Sequence, residues 1–232
     1  MKIQLYQFGP LANQESASPF CVKVHYAMRY KRLPFQVVNV ASPLAVRRLS
    51  RRGKLPVMIY DGVTVTDSTD IIRHLEARHP EPQLYAREQQ ARALALLLED
   101  WADESLYWHV VYERWQVPNQ FARVAEAIPA PTPLRPIIKL IAGRQVRGAL
   151  RDQGLGRLHL AEQREKLGFA LDWLDSIITR QFLCGDELSI ADIAVAAQVA
   201  ALDIPITPVV SAEVRKHLSV TRWLDRTRAA VS

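Results

Sequence analysis

The chain has 232 residues, of which 49% are hydrophobic, so it is long enough to bury one large core or two smaller ones. Its formal charge is +6, but the basic residues are spread along the chain and concentrate only in "RRLSRRGK", 47–54, without a recognised nucleic-acid-binding motif. Nucleic acid is therefore not an expected partner, whereas a small anionic ligand needs far less positive charge.

Two features of the sequence bear on the location of the protein. The longest apolar stretch, 190–202, is broken by Asp192 and Gln198 and is shorter than the roughly 20 residues that cross a bilayer. The opening "MKIQLYQFGP" lacks the apolar core and the cleavage site of a signal sequence. We therefore expect no membrane span and a cytoplasmic protein.

The two cysteines, Cys21 and Cys184, lie in unrelated sequence surroundings. They do not form a disulfide framework, and no cluster of His and Cys has the spacing of metal ligands. Free thiols and no bound metal are expected.

Strand and helix signals alternate over the first 80 residues. The Asp61-Gly62 pair between two of the strands is a strong hairpin signal. The order βαβ followed by ββα predicts a sheet with crossover helices. The predicted segments, in the order strand, helix, strand, helix, strand, strand, helix, are 2–8, 19–31, 34–40, 42–50, 55–60, 63–66 and 67–80.

The pattern changes to helices after the turn-rich "HPEPQ". Apolar residues recur at helical spacing from about Arg87 to Gln116, which predicts one long amphipathic helix. A connection with five prolines follows over 118–136 and has a short helix inside it. Glycines mark a break at 154–156. The remaining predicted helices cover 137–150, 158–179, 188–204, 212–218 and 220–229.

The start of the helix in 188–204 is unusually well specified. Ser189 is placed as N-cap with Asp192 three residues later, which is a capping box. Leu188 and Ile193 flank it as a hydrophobic staple.

Two stretches resemble the glutathione transferase superfamily: "GKLPVMIYDGVTVTDSTDIIRHLE" and, later in the chain, "FLCGDELSIADI". Within that superfamily the chain is most similar to the metaxin-like and failed-axon-connections branch, on the segments "LYQFG", "SPFCVKV", "RRGKLP", "VTDSTDIIRHL" and "ESLYWHVVYERW". The resemblance implies an α/β thioredoxin-like N-terminal domain over 1–80, a linker over 81–88 and an all-helical C-terminal domain over 89–232. It also implies glutathione as a co-substrate, no metal and a homodimer.

The resemblance places glutathione against five residues. A proline is tolerated at the first position of a strand, and the family holds the bond that matches Leu55-Pro56 in the cis form, which would turn the backbone of Leu55 toward the cysteinyl part. A trans proline that merely begins an edge strand is the alternative. Lys54 would meet the glycine carboxylate, or it is a solvated surface charge. Asp67 and Ser68 match the pair that binds the γ-glutamyl group, although Asp67 is shorter than the Glu or Gln of the family and could simply cap the next helix.

Ser18 and Pro19 form a strong helix-start signal, with serine at N-cap and proline at N1. The same position carries the activating hydroxyl in serine-type transferases, where a hydroxyl that donates to a bound thiolate lowers the thiol pKa. Catalysis, capping alone, or a role taken by Ser16 or Tyr6 all remain open. Cys21, three residues later, is either packed in the core or a thiol with a lowered pKa at the helix end.

The aromatic residues of the long predicted helix are candidates for a substrate pocket. Trp101, Trp108 and Trp115 recur with heptad spacing, which favours core packing. Tyr107 and Tyr112 are the better candidates for an apolar pocket between the two domains.

The leading hypothesis is a glutathione transferase-like enzyme in which Ser18 stabilises the glutathione thiolate and a small electrophilic or apolar substrate is attacked. The first alternative is a non-catalytic binding or assembly module, as the metaxin-like resemblance suggests. The second is thiol redox chemistry at Cys21.

Overall fold

The computed structural model of the chain describes residues 1–126 and 135–232. Its N-terminal part contains a four-stranded sheet in the order β2-β1-β3-β4. β1 pairs with β2 in parallel and with β3 in antiparallel orientation, and β3 pairs with β4 as the predicted hairpin. The strands are β1 (Ile3–Gln7), β2 (Gln36–Asn39), β3 (Val57–Tyr60) and β4 (Val63–Thr66).

The turn between β3 and β4 has positive φ at both central residues, 45° at Asp61 and 86° at Gly62. Both residues tolerate this region, and the turn that results matches the twist of a two-residue hairpin. The Asp-Gly signal in the sequence therefore predicts the register of this edge of the sheet.

Three helices pack on the sheet: α1 (Pro19–Tyr30), α2 (Pro43–Leu49) and α3 (Ser68–Arg78). Val24 of α1 and Ile71 of α3 join Leu5 and Met58 of the strands in one buried cluster. Val46 of α2 belongs to a separate cluster with β3. The predicted thioredoxin-like βαβ-ββα order is confirmed.

The second part of the chain is helical, as predicted. Its elements are α4 (Gln89–Trp101), a π-helical turn (Ala102–Leu106), α5 (Tyr107–Trp115), α6 (Pro118–Glu126), α7 (Arg135–Gln153), a 3-10 turn (Leu155–Arg157), α8 (Leu160–Ile177), α9 (Ile190–Leu202), α10 (Pro208–Lys216) and α11 (Leu218–Ala230). Part of the predicted proline-rich connection, 127–134, lies outside the described residues.

The predicted long helix follows a continuous helical path but is not uniform. The backbone at Trp101, Ala102, Leu106 and Tyr107 stays in the right-handed helical region, so α4, the π-helical turn and α5 run on without a break. The wider π-helical turn changes the helical spacing in the middle of this path, which rotates the side chains that follow. Such turns are rare in proteins, and those that occur are often at functional sites.

Helix α9 is the centre of the helical domain, because every residue from Ile190 to Leu202 is buried. It packs against both α1 and α4, so it joins the two domains. Asp192 accepts hydrogen bonds from the N–H of Ser189 at 2.9 Å, the N–H of Leu183 at 2.8 Å and the indole of Trp223 at 2.8 Å. The predicted capping box is thus also a tie between α9 and α11. Among the described helices, none combines the length and the apolar character needed to cross a membrane.

Candidate functional site

A cleft of about 630 Å³ lies where the N-terminal ends of α1 and α3 face α4 and the π-helical turn. The five residues predicted to hold glutathione all line it: Lys54, Leu55, Pro56, Asp67 and Ser68. The other lining residues are Phe20, Ser50, Arg52, Thr69, Arg73, Leu96, Glu99, Asp100, Asp103 and Glu104.

The Leu55-Pro56 bond is cis, as the resemblance implied. Pairing of β3 begins at Val57, so the Leu55-Pro56 link sits just before the ladder and at the edge of the cleft. The side chain of Leu55 is buried with Val46 and Val57, and packing of the side chain in the core leaves the backbone as the part of Leu55 that can meet a ligand.

Asp67 and Ser68 form the turn at which α3 begins. The Asp67 backbone has φ 81°, which is uncommon for a residue other than glycine. One carboxylate oxygen of Asp67 accepts the N–H of Thr69 at 3.0 Å, and the other lies 3.3 Å from the Arg52 guanidinium. The N-cap alternative therefore describes what this side chain does in the structure. Ser68 is 5% exposed and occupies the first helical position, where unpaired amides favour a carboxylate.

Ser18 is the N-cap residue of α1, with φ −100° and Pro19 following at N1. Its carbonyl accepts the N–H groups of Cys21 at 3.0 Å and Val22 at 3.1 Å, whereas its hydroxyl makes no capping hydrogen bond. The side chain is half-buried and is not part of the cleft wall, which begins two residues later at Phe20.

Ser16 and Tyr6, the two alternatives to Ser18, both lie in structural environments away from the cleft. The Ser16 hydroxyl donates to the carbonyl of Phe8 at 2.8 Å and accepts the N–H of Ser18 at 3.2 Å. Tyr6 packs against the apolar cluster around Val46. Neither residue lines the cleft.

Cys21 is fully buried. Burial raises the pKa of its thiol to about 11, more than the Phe8 backbone and the hydroxyls of Ser18 and Ser16 lower it. A redox thiol at the start of a helix needs the opposite change in pKa. The structure therefore favours the packing interpretation of Cys21.

Neither of the two tyrosines predicted to form a substrate pocket lines the cleft. Tyr107 contacts Phe20 with tilted rings, whose centroids are 4.6 Å apart, and so lies directly behind a residue of the cleft wall. Tyr112 is 3% exposed, packs with Leu150 and donates its hydroxyl to the carbonyl of Leu158 at 3.0 Å. Tyr112 is therefore a core residue that packs against α7 and binds the segment before α8, and it does not line the cleft.

A buried polar network that the sequence analysis did not predict borders the cleft. The Lys23 ammonium lies 2.7 Å from Glu99, 2.6 Å from Asp103 and 3.1 Å from the Thr69 hydroxyl. Lys23 is 1% exposed, and Thr69 also donates to Glu99 at 3.0 Å. The network joins α1 and the start of α3 to α4 and the π-helical turn. A lysine in the middle of an otherwise buried helix is the one signal that could have predicted it.

The cleft has walls of opposite charge. Arg52, Lys54 and Arg73 line it from the sheet domain, whereas Glu99, Asp100, Asp103 and Glu104 line it from the helical domain. Burial raises the pKa of Asp103, against the lowering effect of Lys23. Such walls suit a ligand that carries separated carboxylate and ammonium groups. In the described part of the chain, no group of three or more His, Cys, Asp or Glu could hold a metal ion.

Comparison with known proteins agrees with this architecture. Residues 19–121 match the glutathione S-transferase N-terminal domain, and residues 157–226 match the glutathione S-transferase C-terminal domain. The chain belongs to the glutathione S-transferase family. The N-terminal match includes Lys54, Leu55, Pro56, Asp67 and Ser68.

Three known proteins are similar to this chain over most of its length. Failed axon connections of Drosophila melanogaster is 26% identical over 204 residues, or 82% of this chain and 48% of that protein, so the chain spans about half its length. FtsZ-localized protein A of Caulobacter vibrioides is 26% identical over 193 residues, or 80% of this chain and 73% of that protein. A glutathione S-transferase of Methylobacterium radiotolerans, solved with glutathione sulfonate, shares the fold with a TM-score of 0.67, 23% identity and coverage of 99% and 91% of the two chains.

Proposed function

We propose that this chain is a glutathione transferase that joins the sulfur of glutathione to a small electrophile. The observation that supports the proposal most is the cleft, where Lys54, Leu55, Pro56, Asp67 and Ser68 come together on one wall although they are separated by up to 14 positions in sequence. The charged walls add to this support, because glutathione has two carboxylates and one ammonium group.

The proposed ligand lies along the sheet-domain wall of the cleft. Lys54, with Arg52 beside it, pairs with the glycine carboxylate, and the backbone of Leu55 binds the cysteinyl part. Ser68 and the amides at the start of α3 receive the γ-glutamyl carboxylate. The ammonium group of the ligand then faces the acidic wall. It does not need to pair with Asp67, whose carboxylate already binds Thr69 and Arg52.

Ser18 is the proposed activating residue. A hydroxyl at the positive end of α1 that donates to the sulfur favours the thiolate over the thiol and so lowers the thiol pKa. The proton of the thiol passes to solvent, the sulfur forms a bond to the electrophilic carbon, and the leaving group departs with its electron pair. Phe20 and Leu96 provide the apolar part of the cleft against which a small substrate would rest.

The test combines binding and turnover. Calorimetry should give a saturable heat with glutathione, and Ser18→Ala should still bind glutathione but conjugate a model electrophile about tenfold more slowly or worse. Ser176→Ala, which removes an exposed hydroxyl from α8, is the control. An unchanged rate in Ser18→Ala would remove Ser18 from the mechanism, and no glutathione binding by the unaltered chain would remove the proposal itself.

A non-catalytic binding or assembly module is the second candidate function. Two observations favour it: the Ser18 side chain is not part of the cleft wall, and the Asp67 carboxylate is already engaged. The names of Failed axon connections and FtsZ-localized protein A also describe a phenotype and a location, not a reaction. Binding of glutathione without turnover of any electrophile would support this candidate over the enzyme. A cytoplasmic location and a homodimer remain part of the proposal on family grounds.

A further inference from the structure

Arg114 of α5 is a buried cation that connects the two domains. The residue is 4% exposed, and its guanidinium donates to the carbonyl of Ala17 at 2.8 Å and to the carbonyl of Ala201 at 2.8 Å. Ala17 directly precedes Ser18, and Ala201 is in the last turn of α9. One side chain therefore holds the entry to α1 against the end of the central helix of the other domain.

The charge of Arg114 has no carboxylate partner among the described residues. The carboxylate of the adjacent Glu113 is taken by Arg164 at 3.0 and 3.1 Å and by Gln120 at 3.1 Å. Compensation comes instead from the carbonyl at the negative end of α9. Burial lowers the pKa of Arg114 to about 10, so the group stays charged at neutral pH.

Arg114 also fixes the peptide that leads into Ser18. The carbonyl and the N–H of the Ala17–Ser18 peptide lie on the same rigid plane. Arg114 binds that carbonyl, and the Ser16 hydroxyl accepts that N–H at 3.2 Å, so the plane is held at both ends. The N–H of Ala17 donates to Gly9 at 2.8 Å, which fixes the preceding plane as well. These contacts therefore restrict the orientation of the Ser18 side chain.

The same charge reaches the cleft wall. Arg114 lowers the pKa of Tyr107, although burial raises it more. The Tyr107 ring contacts Phe20, which lines the cleft. The positive charge of Arg114, which no carboxylate among the described residues pairs with, therefore lies behind the start of α1, where a buried charge interacts more strongly than it would in water.

We propose that Arg114 is a positioning residue for glutathione activation: it orients Ser18 through the Ala17–Ser18 peptide and adds its charge to the positive end of α1, so that the bound sulfur is held as thiolate. This inference rests on the proposed function.

The experiment measures the pKa of the thiol in bound glutathione, from the ultraviolet absorbance of the thiolate across pH, together with glutathione affinity. Arg114→Lys and Arg114→Gln are a matched pair, because both keep a hydrogen-bond donor at the end of the side chain but only lysine keeps the charge. We expect Arg114→Gln to raise the bound thiol pKa by about one unit and Arg114→Lys to raise it by less than half of that. Glutathione affinity below the thiol pKa should change by less than about threefold. Arg123→Met, which removes an exposed cation from α6, should change neither quantity.

The outcomes distinguish a positioning role of Arg114 from a purely structural one. A merely structural role would lower the thermal stability of both Arg114 variants and leave the bound thiol pKa at the wild-type value, which would overturn the inference while the proposed function stands. If Arg114→Gln does not fold, Arg114→Lys still tests orientation, because loss of one carbonyl contact must move the thiol pKa upward by a measurable amount. If the unaltered chain binds no glutathione, the proposed function fails first and the inference falls with it.

Discussion

Replacing Lys23 with methionine removes the cation that two buried carboxylates share. Lys23 is 1% exposed at its side chain, Glu99 5% and Asp103 12%, so none of the three charges is well solvated. Breaking a buried ion pair by removal of one partner costs about 3–5 kcal/mol, because the remaining charge is left uncompensated. We expect the free energy of unfolding of Lys23→Met to be lower by that amount at pH 7.5, measured by urea denaturation with tryptophan fluorescence.

The loss in free energy of unfolding caused by Lys23→Met should depend on pH. Burial raises the pKa of Asp103 even beside Lys23, and loss of the ammonium must raise it further. A carboxyl group whose pKa is higher in the folded than in the unfolded state takes up its proton first when folded, so lower pH stabilises the folded variant. The difference between wild type and Lys23→Met should therefore shrink by about 1 kcal/mol or more between pH 7.5 and pH 5.5.

Two control variants isolate the effect. Lys216→Met removes an exposed lysine that is paired with Glu213 and should cost less than about 1 kcal/mol. Lys23→Met combined with Glu99→Gln leaves one carboxylate in place of two and should recover part of the loss. A Lys23→Met variant within about 1 kcal/mol of wild type at pH 7.5, or a deficit that does not change with pH, would refute the reasoning.

Two further predictions concern buried polar groups. Burial lowers the pKa of both His25 and His109 to about 4, so between about pH 6.5 and pH 4 the unfolded chain binds protons that the folded chain does not, and stability falls as pH falls. Each histidine should cost about 2 kcal/mol at pH 5 relative to pH 7, and His109→Gln should lose less stability than wild type over that interval in urea denaturation; equal losses would contradict this. Asp192→Asn should lower the free energy of unfolding by about 2–4 kcal/mol, because an amide cannot accept from Leu183, Ser189 and Trp223 together; a thermal melt within a degree of wild type would show that these bonds are dispensable.

Elements whose signals are local could be predicted from the sequence. The hairpin around Asp61-Gly62 and the capping box at Ser189 and Asp192 depend on a few adjacent residues, and both lie where the sequence predicts. The π-helical turn could not be predicted, because apolar spacing in 87–116 is equally typical of an uninterrupted helix. What distinguishes the turn is Asp103, which meets Lys23 of the other domain from within it.

The candidate site likewise has one part that the sequence predicted and one part that it did not. The resemblance around Leu55-Pro56 and Asp67-Ser68 indicated one wall of the cleft, since these residues belong to one continuous segment that resembles the family. The acidic wall and the buried cations were missed, because their partners are distant. Lys23 pairs with residues 76 and 80 positions away, and Arg114 binds carbonyls 97 and 87 positions away.

The start of α1 is held from both sides by these two cations. Lys23 reaches out of α1 into the carboxylates of the helical domain, and Arg114 reaches out of the helical domain onto the backbone just before α1. Polar contacts are directional, whereas apolar packing between α1 and α9 tolerates sliding and repacking at small cost. The apolar core therefore brings the two domains together, but the two buried cations fix the position of Ser18 and Phe20 relative to the acidic wall. It follows that the sheet domain alone would keep the residues proposed to bind glutathione and would lose the acidic wall that completes the cleft.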